Sequence, residues 1–345
     1  MTRKNRKTPK RINLALQGGG AHGAFTWGVL VRLLEDEDIE IAAISGTSAG
    51  ALNGAALKSG LLENGREGAL ANLNWLWEQM GAVKDMRMPA WMVGSLPAPV
   101  AMNATLGASM PFAAVESLTR MVSPYAYGPF YRNPLERIAR QFHYDAVCAA
   151  DGPKLFVGAT NVHSGKIRVF TGDEISTESL LASACLPTLF KAVEIDGAHY
   201  WDGGYTGNPA LFPLYEQDLP QDVLIVHINP LERAEVPRNP EEIQNRINEI
   251  SFNASLLREM RAIRFVQRLL DDGALSEGAM KRVHVHMIAD DALMQELSLA
   301  SKMVPSPYLL HHLHDAGYAA AGTFLANHHD DLNQRGTVDL EAMFT

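Results

Sequence analysis

Cysteine is nearly absent from this chain: Cys148 and Cys185 are the two in 345 residues. They supply no disulfide framework, which suits a reducing, cytoplasmic setting. Positive charge is also short, with 30 Lys and Arg against 39 Asp and Glu and a formal net charge of −9. That balance disfavours nucleic acid as the main partner. Long apolar runs are missing too. Ile12 to Gln17 is too short, and too soon broken by glycines, for the core of a signal peptide. From Met88 to Tyr131 only Glu116 and Arg120 are charged, but Pro89, Pro97, Pro99, Pro111, Pro124 and Pro129 exclude a clean transmembrane helix. No internal repeat is evident. The histidines repeat no known ligand frame, although Val283-His284-Val285-His286 puts two on one strand face and His311, His312, His314, His328 and His329 cluster later. No metal is expected.

What is present begins with Gly46-Thr47-Ser48-Ala49-Gly50, set between an apolar run and a helix of small residues. A serine on a strand-to-helix turn this sharp is held in a strained backbone conformation, and flanking glycines keep neighbouring side chains out of the way. Ser48 is the candidate nucleophile. The backbone N–H of Ala49 would face a developing oxyanion, and the positive end of the helix dipole would add to that field. The plainer reading is a tight helix start capped by Ser48 or Thr47.

Thirty residues upstream, Ile12 to Gln17 reads as a strand and is followed by Gly18-Gly19-Gly20-Ala21-His22-Gly23. The glycines bring bare N–H groups together as a nest for a negative oxygen. Beyond Gly23 the spacing of Phe25, Val29 and Leu33, with Trp27, Leu30 and Leu34, predicts a helix. Gly18-x-Gly20-x-x-Gly23 is also the dinucleotide-binding fingerprint. An oxidoreductase of that kind needs an acid closing the second strand, whereas Glu40 precedes the apolar run.

A third element lies at Glu194 to Gly204, where Asp196-Gly197 predicts a hairpin turn and Asp202 ends the second arm before Gly203 and Gly204. An aspartate before glycine is commonly a turn residue. His227, on the apolar run Val223 to Asn229, is the best-placed histidine for a triad, though a core role is the commoner one.

Taken in order and spacing, four motifs resemble the patatin-like phospholipases and acyl hydrolases. They are Gly18 to Gly23, Gly46 to Gly50, the segment Ala182-Ser183-Ala184-Cys185-Leu186-Pro187-Thr188-Leu189-Phe190, and Asp202-Gly203-Gly204 with Asn208-Pro209 shortly after. The resemblance implies a three-layer α/β/α fold with a mainly parallel central sheet, a nucleophile elbow and an apolar cap insertion. It also implies a Ser48–Asp202 dyad, an oxyanion hole drawn from Gly18, Gly19, Gly20, Ala21, His22, Gly23 and Ala49, and hydrolysis of lipid or other acyl esters without a cofactor. A carboxylate can serve directly as base if a dry site brings its proton affinity towards the working pH. Where the family often has Arg or Lys, this chain has His22. Its imidazolium would support the oxyanion or a substrate phosphate and make activity fall as pH rises through about 6.5; a solvated spectator is the alternative.

The organisation that follows is a basic tail at residues 1–11, a catalytic core at 12–235 that includes an apolar segment at 84–131, and a mostly helical part at 236–345. Arg3, Lys4, Arg6, Lys7, Lys10 and Arg11 could touch anionic lipid headgroups, and the 84–131 segment is either buried packing or a cap that receives acyl chains at a lipid surface. Asn133 to Glu136 reads as a helix start, and Glu241 to Asp271 as a helix whose Arg258, Arg261, Arg264 and Arg268 form a solvated face. A catalytically silent lipid-binding scaffold is the alternative from another class.

Overall fold

The computed structural model describes residues 8–82, 123–126, 132–276, 278–297 and 299–344. The start of the basic tail and most of the 84–131 segment lie outside them. Strand β1 (Lys10–Leu16) leads through helix α1 (Gly23–Leu34) to β2 (Ile39–Thr47), which pairs with it in parallel. Helix α2 (Ala49–Ala82) follows, bent where Gly65 takes φ +60°. Then come β3 (Lys154–Asn161), β4 (Ile167–Thr171), helix α3 (Thr177–Ser183), β5 (Val193–Ile195), β6 (Ala198–Asp202) and β7 (Asp222–His227). The chain closes with α4 (Pro240–Asp271), β8 (His284–Ala289), α5 (Leu299–Met303) and α6 (Pro307–His328).

The strands form one sheet in the order β5-β6-β3-β2-β1-β7-β8, with β4 also on β3. Strands β3, β2, β1, β7 and β8 are mutually parallel, and the hairpins at β4, β5 and β6 run antiparallel. Period-two alternation divides the side chains between two cores. Ile12, Leu14, Leu16, Leu224 and Val226 pack with α1, α2 and α6 on one face. Ala15, Ala43, Val223, Ile225 and Val285 pack on the other with Leu256, Met260 and Ile263 of α4. The result is the expected three-layer α/β/α arrangement. Helix α6 sits tightly on α1, because a Cβ on Gly28 would lie 1.8 Å from the His314 carbonyl and one on Gly317 would lie 2.0 Å from the Phe25 carbonyl.

Some local expectations are corrected. Glu40 lies within β2, not ahead of it, and is paired with Arg11 at the start of the strand. Strand β7 ends at His227 because the N–H groups of Ile228 and Asn229 leave the ladder for the Gln17 side chain. Asn133 caps a turn through the Leu135 N–H, and the helix that follows, Glu136–Ala139, has four residues only. Arg258, Arg261 and Arg268 are exposed, but Arg264 is half-buried against Glu341 and Asp271. Among the described residues no helix is long and apolar enough to cross a membrane.

Candidate active site

Because β1 and β2 are neighbouring parallel strands, the turns that leave them emerge side by side at the carboxyl edge of the sheet. Contact between them is close. A Cβ on Gly18 would lie 2.7 Å from the Ser48 Cβ, one on Gly23 2.6 Å from the Ala49 Cβ, and one on Gly50 2.1 Å from the Leu16 carbonyl. Gly46 is needed for the same reason, since a Cβ there would lie 2.6 Å from the Gly50 carbonyl. Ser48 has φ +54°, a backbone state that costs energy for a side-chain-bearing residue and recurs at functional turns. Two clamps hold this conformation. The Ser48 N–H donates to Ser183 Oγ at 2.8 Å, which donates on to the Gly158 carbonyl at 2.7 Å, and Thr47 Oγ1 donates to the Gly207 carbonyl at 2.7 Å.

Asp202 arrives from the other side. Thr47 pairs with Gly158 on β3, and the next β3 residue, Ala159, pairs with Asp202 at the end of β6. The Asp196-Gly197 turn, with φ of +51° and +76°, sets that hairpin register. Asp202 is 1% exposed and Ser48 is 8% exposed. The carboxylate accepts the Gly204 N–H at 2.7 Å and also interacts with the Ser48 hydroxyl. Burial pushes its pKa from 3.8 up to about 7, against the opposing pull of those two donors. Gly203 is required by close approach, since a Cβ there would lie 2.2 Å from the Gly158 carbonyl. Burial also raises the nearby Cys185 thiol to about 12, so it stays protonated.

The oxyanion set needs correction. The Gly18 N–H is spent on Asn208 Oδ1 at 2.7 Å, the His22 N–H on the Gly19 carbonyl and the Gly23 N–H on Gly20 and Ala21 carbonyls. The N–H groups of Gly19, Gly20, Ala21 and Ala49 have no partner among the described residues. The His22 side chain is 1% exposed, bonds Ser301 Oγ through Nε2 at 2.7 Å and leaves Nδ1 buried without a partner. Burial, with Lys302 nearby, holds its pKa well below 6.5, so the ring is neutral. The imidazolium expected from the sequence is therefore excluded, and so is the solvated spectator.

His227 is not brought to Ser48. It lies two strands away and is 1% exposed, with Nε2 on Asn253 Oδ1 at 3.2 Å and Nδ1 3.8 Å from Asp291. His284 and His286 both face Asp222, at 3.4 Å and 2.8 Å, as a buried polar cluster. Among the described residues, the grouping with ligand atoms close enough for an ion is Asp36, Asp38 and His329, remote from this site at the start of β2. The dinucleotide reading loses its acid, because Glu40 sits at the opposite end of β2 from the glycine turn.

Residue-level reading of the sequence missed Gln17, Asn229, Asn253 and Lys302. Gln17 Oε1 accepts from the Ile228 N–H, the Asn229 N–H and Asn229 Nδ2, while its Nε2 donates to the Asn208 carbonyl and Asn253 Oδ1. A visible signal existed for one of them: Asn229-Pro230 follows a strand much as Asn208-Pro209 follows Asp202-Gly203-Gly204.

The family model described as patatin-like phospholipase matches residues 14–215. Among curated protein sequences nothing matches. Solved structures are similar as well. VipD from Legionella pneumophila is 15% identical with a TM-score of 0.40, the alignment covering 93% of this chain and 67% of VipD. Full-length ExoU from the type III secretion system of Pseudomonas aeruginosa, solved in complex with SpcU, is 14% identical with a TM-score of 0.31, covering 92% of this chain and 53% of ExoU. The chain thus spans about half the length of ExoU.

Proposed function

This chain belongs to the patatin-like phospholipase family, and from that premise we propose that it hydrolyses acyl esters of lipids with a dyad of Ser48 and Asp202. The observation that carries the reading is the strained Ser48 beside a dry carboxylate whose pKa lies at about 7. A base is most effective when its proton affinity matches the working pH, and a carboxylate at 3.8 would be a weaker one. Ser48 Oγ attacks the ester carbonyl carbon while its proton passes to Asp202. The carbonyl oxygen takes the negative charge, and N–H groups among Gly19, Gly20, Ala21 and Ala49 stabilise it. Collapse breaks the bond to the leaving oxygen, which takes the proton from Asp202 and departs as the alcohol. Water then attacks the acyl-serine, giving its proton to Asp202, and the second collapse returns that proton to Ser48 Oγ as the free acid leaves.

The substrate class is lipid, with phospholipid, lysophospholipid or neutral glyceride as donors of the same chemistry. Covalent labelling by a fluorophosphonate tests the reading, since the probe needs an activated serine and a formed oxyanion site. Wild type should label and should turn over a chromogenic acyl ester; Ser48→Ala should do neither while keeping its circular dichroism spectrum. A folded wild type that neither labels nor turns over would leave the silent lipid-binding scaffold as the better account.

A further inference from the structure

The peptide joining Gly18 to Gly19 carries one of the unpartnered N–H groups at the site, and its carbonyl is held from the other side. Gly18 O accepts from Asn229 Nδ2 at 3.0 Å and from Asn208 Nδ2 at 3.4 Å. In a trans peptide the N–H points opposite to the C=O. Tethering the carbonyl therefore fixes where the Gly19 N–H aims, and a hydrogen bond at the oxygen also polarises the N–H.

Asn229 is itself fixed. Its carbonyl accepts from Asn253 Nδ2 at 2.9 Å, and its Oδ1 accepts from Lys302 Nζ at 2.7 Å. With Oδ1 taken by an ammonium, the Asn229 amide can present only its NH2 to Gly18. Lys302 comes from α5, whose backbone is pressed on the same loop: a Cβ on Gly20 would lie 2.3 Å from the Lys302 carbonyl. The ammonium is half-buried beside neutral His22, with Glu249 and Arg233 as its charged neighbours.

We propose that Asn229 and Lys302, both outside the segment 14–215 that the family model matches, are positioning residues that lock the Gly18–Gly19 peptide with its N–H turned to the oxyanion. The proposal rests on the hydrolase reading above. An unlocked peptide can rotate, and the donor is lost without any change in Ser48 or Asp202.

The test uses the full-length chain with Asn229→Ala and Lys302→Met, a chromogenic ester and a trifluoromethyl ketone that forms an oxyanion on the serine. Loss of a single oxyanion donor costs about 100-fold to 1,000-fold in kcat, so a lost positioning group should cost about tenfold or more. KM should stay nearly constant, and the inhibition constant of the ketone should weaken in proportion to the loss in kcat/KM. Where either variant does not fold, Asn229→Ser or Lys302→Gln, which retain a hydrogen-bonding group, is measured in the same way. Wild-type kcat in folded variants, or a kcat loss with unchanged ketone affinity, would overturn the proposal. A wild type that does not label with fluorophosphonate would overturn the hydrolase reading instead, and the two failures are distinct.

Discussion

Removing the charge at position 202 should have opposite effects on rate and stability, and both follow from the burial of one carboxyl group. Asp202 titrates at about 7 in the folded chain because it is dry, against 3.8 when solvated. The base must be ionised to act, so kcat/KM should fall about tenfold per pH unit on the acid side of about 7 and be down about 100-fold near pH 5. A carboxylate at its ordinary value would leave the rate flat to about pH 5. Stability runs the other way. A raised pKa means that the folded state holds its proton more tightly than the unfolded chain, so the stabilisation is complete below 3.8 and is lost as pH rises through about 7. At about 1.4 kcal/mol per pH unit, the rise from 3.8 to about 7 corresponds to about 4 kcal/mol.

Asp202→Asn removes the titration while an amide oxygen can still accept the Gly204 N–H. Its stability advantage over wild type should grow by about 4 kcal/mol between about pH 4 and pH 8 and then level off, while its esterase activity is lost. Urea unfolding at a series of pH values, paired with a rate profile on the chromogenic ester, measures both. A stability difference that does not change with pH, or a rate limb near 4, would refute the argument from burial. Persistence of the limb in His227→Ala is also required, because a histidine base would give a limb in the same region.

Two further perturbations probe the supports of the site. Ser183→Ala leaves the buried Ser48 N–H without an acceptor, which should destabilise the fold by about 1–3 kcal/mol and lower kcat as the elbow relaxes; equal melting temperature and rate would show that the Ser183 relay is idle. His22 is refused a proton by the folded state and accepts one below about 6.5 when unfolded, so its contribution to stability is present above that pH and is lost as pH falls. The stability gap between wild type and His22→Gln should therefore drift against wild type by up to about 1.4 kcal/mol per pH unit below about 6.5, and a constant gap in urea melts would mean that the ring is protonated in both states.

The strands and the two turns at their ends were legible because their signals are local. Alternating residue type over Ile12 to Gln17, the glycines of both turns and the Asp196-Gly197 hairpin each declare a backbone requirement within a few residues. The roles of individual N–H groups were not. Six consecutive residues, Gly18 to Gly23, look equally available in the sequence, and only the folded chain distinguishes them, spending Gly18 on Asn208 and His22 and Gly23 on the short helical turn. The protonation of His22 was equally hidden, since a loop position gives no notice that Ser301 and Lys302 will arrive from 279 and 280 residues away.

That long reach bears on how the site can be built at all. A glycine-rich turn has many accessible backbone states, so the freedom that lets its amides approach an oxyanion also lets them turn away. Order must come from groups outside the turn. Gln17 supplies part of it by joining the end of β1 to Ile228, Asn229, Asn253 and Asn208 through one side-chain amide. Asn253 is buried on α4, and α4 itself packs on Gly204 through Phe252, so the helix that orders the glycine turn also lies against the loop that carries Asp202. The part of the chain after residue 215 thus contributes strands β7 and β8 to the sheet and the amides that fix the glycine turn. A truncation ending near residue 235 would keep Ser48 and Asp202 but strip Gln17 of its Asn253 partner and Asn229 of both Asn253 and Lys302, and buried polar groups left unpaired cost about 1–3 kcal/mol each.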